Sequence, residues 1–483
     1  MEKQKLNVVW LKRDLRSQDH LPFFLAEKEE SPFIALYLYE PDLMISADNS
    51  QRHWRFCYQS VIDLNQSFSK TNKKVEVMFA TARDAFSYLL ESYDLKKVFS
   101  YQESGTERTW LRDLKLNQLF LSKNVKWVEC QRDGVQRGRK DRKDWDKHWY
   151  IHANLKIINN TFNHLRSIDD HPFHLSKDLY TKLEDTDLKI QPGGETKAWK
   201  YLKSFVQERG FSYHYNISKP EKSRKASGRI SPYMAWGNLS SRQVYQYVVS
   251  SENYTFHKKA FNGMLGRLKW RCHFTQKFEM QTDYEYQCLN LAYEALEWST
   301  NNDVLKKWKE GNTGIPMVDA AMRCLHQTGW VNFRLRAMLV SFLCHHLNHD
   351  WRKGVYHLAK LFIDYDPGIH YPQFQMQASV TGINTIRIYN PVKLGLDHDK
   401  DAVFIKKWLP ELKGLDSKLV HEPWKLTGME QLLYGFELGK QYPIPMVDIE
   451  ESARQARDRL FSFKKNTTVK EYKDIILNRH TRK

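Results

Sequence analysis

The segment from Ser227 to Ser240 has the composition of a phosphate-binding helix start. Two serines and a glycine stand before Pro232, and an apolar run follows the proline. Small hydroxyl residues and glycine before a proline are typical of a helix N-terminus, whose free N–H groups and partial positive charge attract an anion. A simple helix cap has the same composition, and the segment taken alone fits that simpler interpretation better.

Arginine stands among large aromatic residues in the segment from Trp270 to Phe274. The charge of Arg271 can pair with a phosphate or a carboxylate, or it can extend to water from a packed helix. Taken alone, the segment favours the second interpretation, in which the arginine side chain reaches water from a packed helix.

Two further arginines, Arg334 and Arg336, are two residues apart in a helical pattern. Their side chains point to nearly opposite faces, so one faces the interior or a cleft while the other faces solvent. The inward arginine needs an acidic partner. Asp364 and Asp366 are the candidates because they directly follow an apolar helix.

The polar and aromatic segment from His370 to Pro391 is predicted to be a loop that lines a cofactor pocket. No metal site is expected, because His345 and His346 are adjacent, cannot share one helical face, and have no carboxylates at ligand spacing. The sequence contains neither a nucleophile elbow nor a phosphate-binding P-loop.

Short apolar runs alternate with polar, helix-compatible stretches in the first part of the chain. The runs are Leu6–Leu11, Phe33–Tyr39, Val75–Phe79, Val98–Tyr101 and Val125–Val128. Strands separated by helices are typical of βαβ units and of a doubly wound parallel sheet. No G-x-G-x-x-G follows the first run, so an ordinary dinucleotide-binding turn is not expected.

The charge pattern and the periodicity change further along the chain. Residues 132–148 are highly charged and predict an exposed connector or surface loop. From about Thr196, apolar residues recur at spacings of three and four, which indicates helices. The expected organisation is an α/β domain over 1–131, a connector over 132–195 and an all-α domain over 196–483.

Composition points to an anionic partner. The 75 Lys and Arg residues exceed the 57 Asp and Glu residues, which gives a formal net charge of +18 and a pI near 9.3. Such an excess attracts polyanions, nucleic acid before anionic membrane, although a basic surface also serves solubility alone. No secretory signal and no run of about 18 apolar residues is visible, which predicts a cytoplasmic protein that does not enter a membrane.

The cysteines stand singly in the sequence. They are Cys57, Cys130, Cys272, Cys288, Cys324 and Cys344. No C-x-x-C pair is present, so neither a zinc site nor an iron–sulfur cluster is expected. Scattered cysteines in a chain of this length suit a reducing compartment.

Several segments, taken in chain order, resemble the DNA photolyase/cryptochrome family. They are Trp10–Asp19, Gly228–Tyr233, Trp308–Arg323, Thr328–Trp330, Arg387–Pro391, Phe404–Leu412 and His421–Trp424. One such motif is weak, but their common order and spacing argue against chance, and the resemblance runs from near residue 5 to about Phe463. It implies an N-terminal α/β domain and an all-helical FAD-binding domain, in a divergent branch without an iron–sulfur cysteine cluster.

The resemblance assigns cofactor-binding positions residue by residue. The family positions at the FAD phosphates and around that helix start match Tyr215, Ser227, Gly228, Arg229, Ile230, Ser231 and Arg271. Arg336 and Asp364 match a pair beside the flavin ring, where a satisfied ion pair steadies a reduced flavin. Asp366 matches a second acidic position there, and His370 matches the residue that faces flavin N5, commonly Asn or Asp.

Members of this family reduce their flavin through a chain of tryptophans, and the resemblance assigns that route as well. Trp298 and Trp351 match its outer and middle members. The inner member matches Phe374, which is much harder to oxidise and puts the usual relay in doubt. Trp330 or Tyr371 could take its place, although each is also an ordinary core residue.

The expected DNA-binding pocket departs from the family pattern. Trp270 matches a tryptophan that stacks on a flipped pyrimidine dimer, and Arg334 matches an arginine on the substrate side. Arg267 stands at the position of an acidic contact, and Met376 at that of a second stacking tryptophan. Phe333 replaces an asparagine.

Three functions are compatible with this resemblance. The first is a photolyase that splits pyrimidine dimers in damaged duplex or single-stranded DNA with an electron from reduced FAD. The second is a cryptochrome-like blue-light receptor, and the third is a flavoprotein that binds nucleic acid without repair. The charge, Trp270 and the roughly twenty residues after Phe463 favour the repair enzyme, whereas the altered pocket favours the receptor.

Further expectations follow from the resemblance. The two histidines that mark (6-4) photolyases fall on Phe333 and Ala337, which disfavours that activity. A second, antenna chromophore is common in the family, a folate or a deazaflavin, and Glu107 resembles a folate-contact position. We expect the protein to be a monomer.

Overall fold

A five-stranded parallel sheet forms the N-terminal part of the computed structural model, which describes residues 3–68, 73–185, 187 and 189–481. The strands are β1 (Lys5–Leu11), β2 (Phe33–Tyr39), β3 (Glu76–Phe79), β4 (Asp94–Tyr101) and β5 (Lys126–Cys130). Their order is β3-β2-β1-β4-β5, and every neighbouring pair is parallel. β1 and β2 are buried along almost their whole length, as expected where helices cover both faces of a sheet.

Helices alternate with these strands and confirm the predicted doubly wound α/β class. They are α1 (Leu21–Glu27), α2 (Pro41–Met44), α3 (Gln51–Phe68), α4 (Ala82–Ser92) and α5 (Glu107–Ser122). Aromatic rings pack the sheet against α4 and α5, with ring centroids 5.3 Å apart for Trp10 and Phe86, and 5.5 Å apart for Phe120 and Trp127. Edge-to-face contacts of this kind stabilise a core beyond the burial of their area.

Side chains fill the crevice at the carboxyl ends of β1 and β4. The strand order reverses between these two strands, and doubly wound sheets hold nucleotides at such a switch point. Arg112 donates to Glu40 at 2.6 Å and to Glu103 at 2.7 Å. Lys12 donates to Asp113 at 2.9 Å, and none of these five side chains is more than 13% exposed. An ion network therefore occupies the crevice.

The charged segment after β5 is exposed only in part. Lys143 is exposed as predicted, but Arg142 is only 1% exposed, and Arg137 donates to Glu279 at 2.8 Å. The prediction of a wholly exposed connector is wrong, because several of its charges find partners on the helix Lys258–Met280 instead of water.

Helices dominate the rest of the described chain, as predicted. They are α6 (Trp145–Asn154), α7 (Lys177–Glu184), α8 (Glu195–Ser204), α9 (Tyr213–Asn216), α10 (Pro220–Ala226), α11 (Ser231–Ala235), α12 (Ser241–Val249), α13 (Asn253–Phe256), α14 (Lys258–Met280), α15 (Asn302–Glu310), α16 (Pro316–Thr328), α17 (Phe333–Ser341), α18 (Arg352–Leu361), α19 (Pro367–Gln377), α20 (Pro391–His398), α21 (Val403–Trp408), α22 (Gly428–Tyr434), α23 (Ile449–Lys464) and α24 (Thr467–His480). Five-residue π-helical turns follow α8 and α17. None of the helices in the described ranges is both long and apolar enough to cross a bilayer.

The chain forms two compact units, each built from separate stretches of sequence. The first comprises Met1–Glu208, Gly228–Thr282 and Ile363–Ile369, and the second comprises Arg209–Ser227, Asp283–Phe362 and His370–Lys483. The sheet, the charged connector and α14 all belong to the first unit, whereas α15 to α18 and α20 to α24 belong to the second. The domain limits expected near residues 131 and 195 stay predictions.

Candidate functional site

An arginine whose side chain is only 10% exposed is held by two carboxylates in the first unit. Arg271, on α14, donates to Asp133 at 2.7 Å and to Asp366 at 3.2 Å. It also donates to the carbonyl of Met234 at 3.0 Å. Burial disfavours the charge of Arg271, but the two carboxylates outweigh burial and raise its pKa. Arg271 is therefore an interior cation, and the expected FAD-phosphate contact of this residue stays a prediction.

Asp133 is a member of this cluster that the sequence did not reveal. It lies in the charged connector, 138 positions before Arg271, with the left-handed φ of +49°. Its second carboxylate oxygen accepts the backbone N–H of Ser241 at 3.0 Å. Burial opposes ionisation of the Asp133 carboxyl, but Arg271, Arg132 and the hydrogen bond from Ser241 together outweigh burial and lower its pKa. No local pattern marks an aspartate as the partner of an arginine so far along the chain.

Replacing Asp133 tests whether this cluster is structural. We expect Asp133→Asn to lower the free energy of unfolding by about 3 kcal/mol, because a buried arginine loses one of its two counter-charges. The lowered pKa of Asp133 means that its contribution is complete above the ordinary Asp pKa and is lost as the pH falls below it. In urea unfolding, the difference from the wild-type protein should therefore shrink below about pH 4. The exposed Asp141→Asn is the control, and an equal loss in both variants contradicts the prediction.

The acidic turn before α19 is fixed by its backbone. Trp236 donates through Nε1 to the carbonyl of Ile363 at 2.9 Å, and Arg13 donates to the carbonyl of Tyr365 at 2.9 Å. Asp366 caps α19 by accepting the backbone N–H of Gly368 at 3.2 Å. A Cβ on Gly368 would lie 2.8 Å from the side chain of a threonine on α14, so only glycine packs there. Of the two predicted acidic residues, Asp366 is thus buried beside Arg271.

The predicted phosphate-binding segment connects α10 to α11. Ser227 is buried, and within the described chain its Oγ has no hydrogen-bond partner. A Cβ on Gly228 would meet no atom closer than 3.7 Å. Arg229 has the left-handed φ of +55° and donates to the side chain of Gln191 at 2.9 Å. The unsatisfied buried hydroxyl of Ser227 fits an anionic oxygen as its partner.

The remaining residues predicted for this segment differ in exposure. Ile230 is buried directly before α11, and Ser231, the first residue of that helix, is exposed. Tyr215, on α9, is 67% exposed, with its ring next to that of His214. Ile230 therefore serves as packing, while Ser231 and Tyr215 have polar groups available to a ligand.

Arg334 and Arg336 occupy α17 in the second unit. Arg336 donates to the carbonyl of Val331 at 2.9 Å, and its guanidinium lies 4.1 Å from the ring centroid of Phe362. The guanidinium of Arg334 lies 5.3 Å from the ring of Phe333, and its buried Nε has no hydrogen-bond partner in the described chain. Both side chains are half-buried, and the prediction that one of them faces solvent stays a prediction. The pairing of Arg336 with an aspartate stays a prediction.

The segment after His370 is a helix rather than a loop. α19 continues to Gln377 in spite of Pro372, and Tyr371 and Phe374 are buried. The loop prediction was wrong for these residues because burial of one helical face outweighs the helix-breaking tendency of proline. From Gln377 to Pro391 the chain is irregular, as predicted.

Aromatic rings form a row in the second unit. The ring centroid of Phe374 lies 5.5 Å from that of His370 and 6.4 Å from that of the buried Trp351. Trp298 is half-buried beneath the guanidinium of Arg459, 5.4 Å from its ring. The structure therefore brings the predicted middle and inner positions of the electron route into contact, with phenylalanine as the inner member.

His370 is held in one orientation by the backbone. Its Nε2 lies 2.9 Å from the carbonyl oxygen of Val355, which can only accept a hydrogen bond. Nε2 therefore carries a proton and donates this hydrogen bond. The contact of His370 with flavin N5 stays a prediction.

The predicted DNA-binding residues lie on three helices. Trp270 is 50% exposed on α14, and Arg267 is exposed one turn before it. Arg334 lies on α17, and the half-buried Met376 lies near the end of α19. Their common use of one pocket stays a prediction.

Comparisons with known proteins agree with this architecture. Residues 7–135 match the family model described as DNA photolyase, and residues 264–462 match the FAD binding domain of DNA photolyase. A doubly wound sheet followed by a helical FAD-binding domain defines a flavoprotein of the photolyase type. The chain belongs to the DNA photolyase/cryptochrome family.

The most similar relatives bear two kinds of name. A deoxyribodipyrimidine photo-lyase of Alkalihalophilus pseudofirmus is 28% identical, with 93% of this chain and 97% of that protein covered. A cryptochrome DASH of Gloeobacter violaceus is 27% identical, with 93% and 94% covered. The family is thus established, and both photo-lyase and cryptochrome occur among the names of its relatives.

Solved structures share the fold. A class III photolyase from Agrobacterium tumefaciens superposes with a TM-score of 0.84 at 23% identity, covering 96% of this chain and 99% of that one. A cryptochrome from Synechocystis superposes with a TM-score of 0.86 at 23% identity, covering 95% and 99%. The two-part architecture predicted from the sequence is therefore confirmed.

Proposed function

We propose that this protein is a deoxyribodipyrimidine photo-lyase, which uses blue light and reduced FAD to split pyrimidine dimers in DNA. The observation that carries the proposal is the half-exposed indole of Trp270 on α14. Exposed Lys258, Lys259 and Arg267 lie on the same helix. A planar aromatic face beside basic residues suits a base that has left its stack and the phosphates next to it.

FAD, when bound, supplies light absorption and the transferred electron. The chain supplies groups that hold it: the buried Oγ of Ser227, which has no partner in the described chain, suits its phosphates. Arg336 and Asp364 are the proposed pair beside the ring, and the positive charge of Arg336 favours an anionic, reduced form. His370 is the residue proposed to face flavin N5.

The principal alternative is a blue-light receptor without repair. It is favoured by Phe374, which stands between Trp351 and His370 and differs from the tryptophan expected in the family relay. A receptor would use flavin reduction to change a partner surface instead of repairing DNA. Relatives named cryptochrome DASH are compatible with this alternative.

Dimer splitting by the purified protein separates the two functions. The flavin-loaded, chemically reduced protein is mixed with single-stranded or duplex oligonucleotides that contain one cyclobutane dimer, and dimer loss is followed by chromatography. We expect dimer loss under blue light and none in the dark. Lesion binding without dimer loss would support the flavoprotein that binds nucleic acid without repair, and absence of both would support the receptor.

A second chromophore besides FAD is supported by one structural neighbour and by one residue of this chain. A photolyase from Sulfolobus tokodaii with two FAD molecules shares the fold, with a TM-score of 0.77 at 22% identity. In this chain the Arg112 ion network lies at the carboxyl ends of β1 and β4. Glu107, the exposed first residue of α5, remains the residue proposed to contact a folate. The monomeric state and the cytoplasmic location stay predictions.

A further inference from the structure

Two buried rings hold the exposed indole of Trp270. His273 and Phe274 follow it by three and four positions on α14, and both are buried. The ring centroid of Trp270 lies 5.0 Å from that of His273 and 5.6 Å from that of Phe274. The interplanar angle with His273 is 63°, which makes the contact edge-to-face. The orientation of the indole therefore depends on the orientation of these rings.

His273 is in turn fixed by Arg142 from the charged connector. The guanidinium of Arg142 donates to the carbonyl of His273 at 3.0 Å and to its Nδ1 at 2.9 Å. A guanidinium has no acceptor, so Nδ1 accepts and the neutral His273 ring carries its proton on Nε2. One residue thus fixes both the tautomer and the ring plane of His273.

The connector also fixes Arg142 itself. Its guanidinium lies 4.2 Å from the ring centroid of Trp145, the first residue of α6. The indole N–H of Trp145 donates to the carbonyl of Gly134 at 3.0 Å, and its ring lies 6.0 Å from that of His273. Arg142 is therefore held by packing on one side and by two hydrogen bonds on the other.

The same connector contacts the residue next to Trp270. Lys269 pairs with Asp146 at 3.1 Å, and its ammonium group lies 4.3 Å from the ring centroid of Tyr150. Both partners lie on α6. Residues 142–150 thus determine the surroundings of the indole through three separate side chains.

We propose that Arg142, acting through His273, sets the plane of Trp270 and is a positioning residue for an unpaired nucleobase that stacks on this indole. The inference rests on the proposed function, since it takes Trp270 as the acceptor of the flipped base. It assigns a role in lesion recognition to the charged connector. Arg142 supports the base without touching it, so its loss weakens stacking and leaves phosphate attraction unchanged.

Arg142→Gln tests the proposal against Lys143→Gln, which removes the same charge from the adjacent, exposed position. Binding of the flavin-loaded protein to a dimer-containing oligonucleotide and to its undamaged counterpart is measured by fluorescence anisotropy. We expect Arg142→Gln to weaken lesion binding about tenfold, which corresponds to about 1.4 kcal/mol of binding free energy. Binding to undamaged DNA should change little. Lys143→Gln should weaken both slightly and equally. Equal weakening of both DNAs by Arg142→Gln overturns the proposal.

A double-mutant cycle separates positioning from general stability. If Arg142 acts through the indole, Arg142→Gln has no further effect on lesion binding in a Trp270→Ala background, whereas additive effects overturn the inference. His273→Phe keeps a ring but has no acceptor for Arg142, and it should reproduce the lesion-specific loss if Arg142→Gln fails to fold. An unchanged lesion affinity in Trp270→Ala alone would contradict the proposed function itself.

Discussion

Blue light should reduce the flavin of a Phe374→Trp variant much faster than that of the wild-type protein. The ring of Phe374 lies 6.4 Å from that of Trp351, so a tryptophan at this position would complete a row of oxidisable rings. Phenylalanine is much harder to oxidise and interrupts that row. We expect photoreduction to be at least ten times faster, which corresponds to an activation barrier lower by about 1.4 kcal/mol.

The measurement is the bleaching of oxidised flavin under continuous blue light with an external reductant. The variant Phe374→Trp with Trp351→Phe is the control, because it restores one ring and removes the next. It should return to the wild-type rate. An unchanged rate in Phe374→Trp, or a gain that survives loss of Trp351, would show that electrons reach the flavin by another route, such as the buried Trp330 or Tyr371.

Trp270→Ala should weaken lesion binding by about 1–3 kcal/mol, which is roughly the stacking energy of one base on an aromatic ring. This corresponds to about 5- to 160-fold in the dissociation constant. The reason is that the indole, half-exposed on α14, offers the planar face that an extruded base needs. Salt dependence of binding should be unchanged, because no phosphate contact is removed.

Phe256→Ala provides the matched control for this prediction. Phe256 belongs to the same unit, is 81% exposed on α13, and lies just before the basic helix start. Its loss removes a similar exposed aromatic surface without removing the proposed stacking face. Lesion affinity should remain that of the wild-type protein, and equal losses in the two variants would mean that exposed apolar area alone governs binding.

Lesion binding and photoreduction report on different parts of the chain. Trp270 lies in the first unit, whereas the row of His370, Phe374 and Trp351 lies in the second. A photolyase requires the first property and a reduced flavin, but it does not need rapid photoreduction if the flavin is already reduced. Loss of lesion binding with intact photoreduction in Trp270→Ala would support the enzyme. The opposite outcome, in which substitution of Phe374 changes the light response and substitution of Trp270 leaves lesion binding unchanged, would support the receptor.

The sheet could be predicted well where burial is uniform. The predicted run Phe33–Tyr39 is β2 itself, and Leu6–Leu11 differs from β1 by one residue, because both strands are covered on both faces and are largely apolar. β4 begins at Asp94, before the predicted Val98, because its first half contains lysines. Polar residues near a strand end have no apolar pattern to reveal them.

The helical part was less predictable at its irregular elements. The segment from His370 was predicted to be a loop, but α19 continues through Pro372 to Gln377, and Gly368 in its first turn packs against α14. The charged connector was expected to be exposed, yet Arg142 is buried against His273. In both cases contacts between distant residues outweigh the local tendency of the chain.

The sequence by itself determined the family, the order of the α/β and helical parts, and the residue types at the candidate flavin and DNA positions. It could do so because apolar periodicity and short motifs are local properties of the chain. Tertiary structure alone decided that Arg271 shares its charge between Asp133 and Asp366, and that Arg142 supports the ring beside Trp270. These partners are tens to hundreds of residues apart, and only burial reveals which charges must neutralise one another.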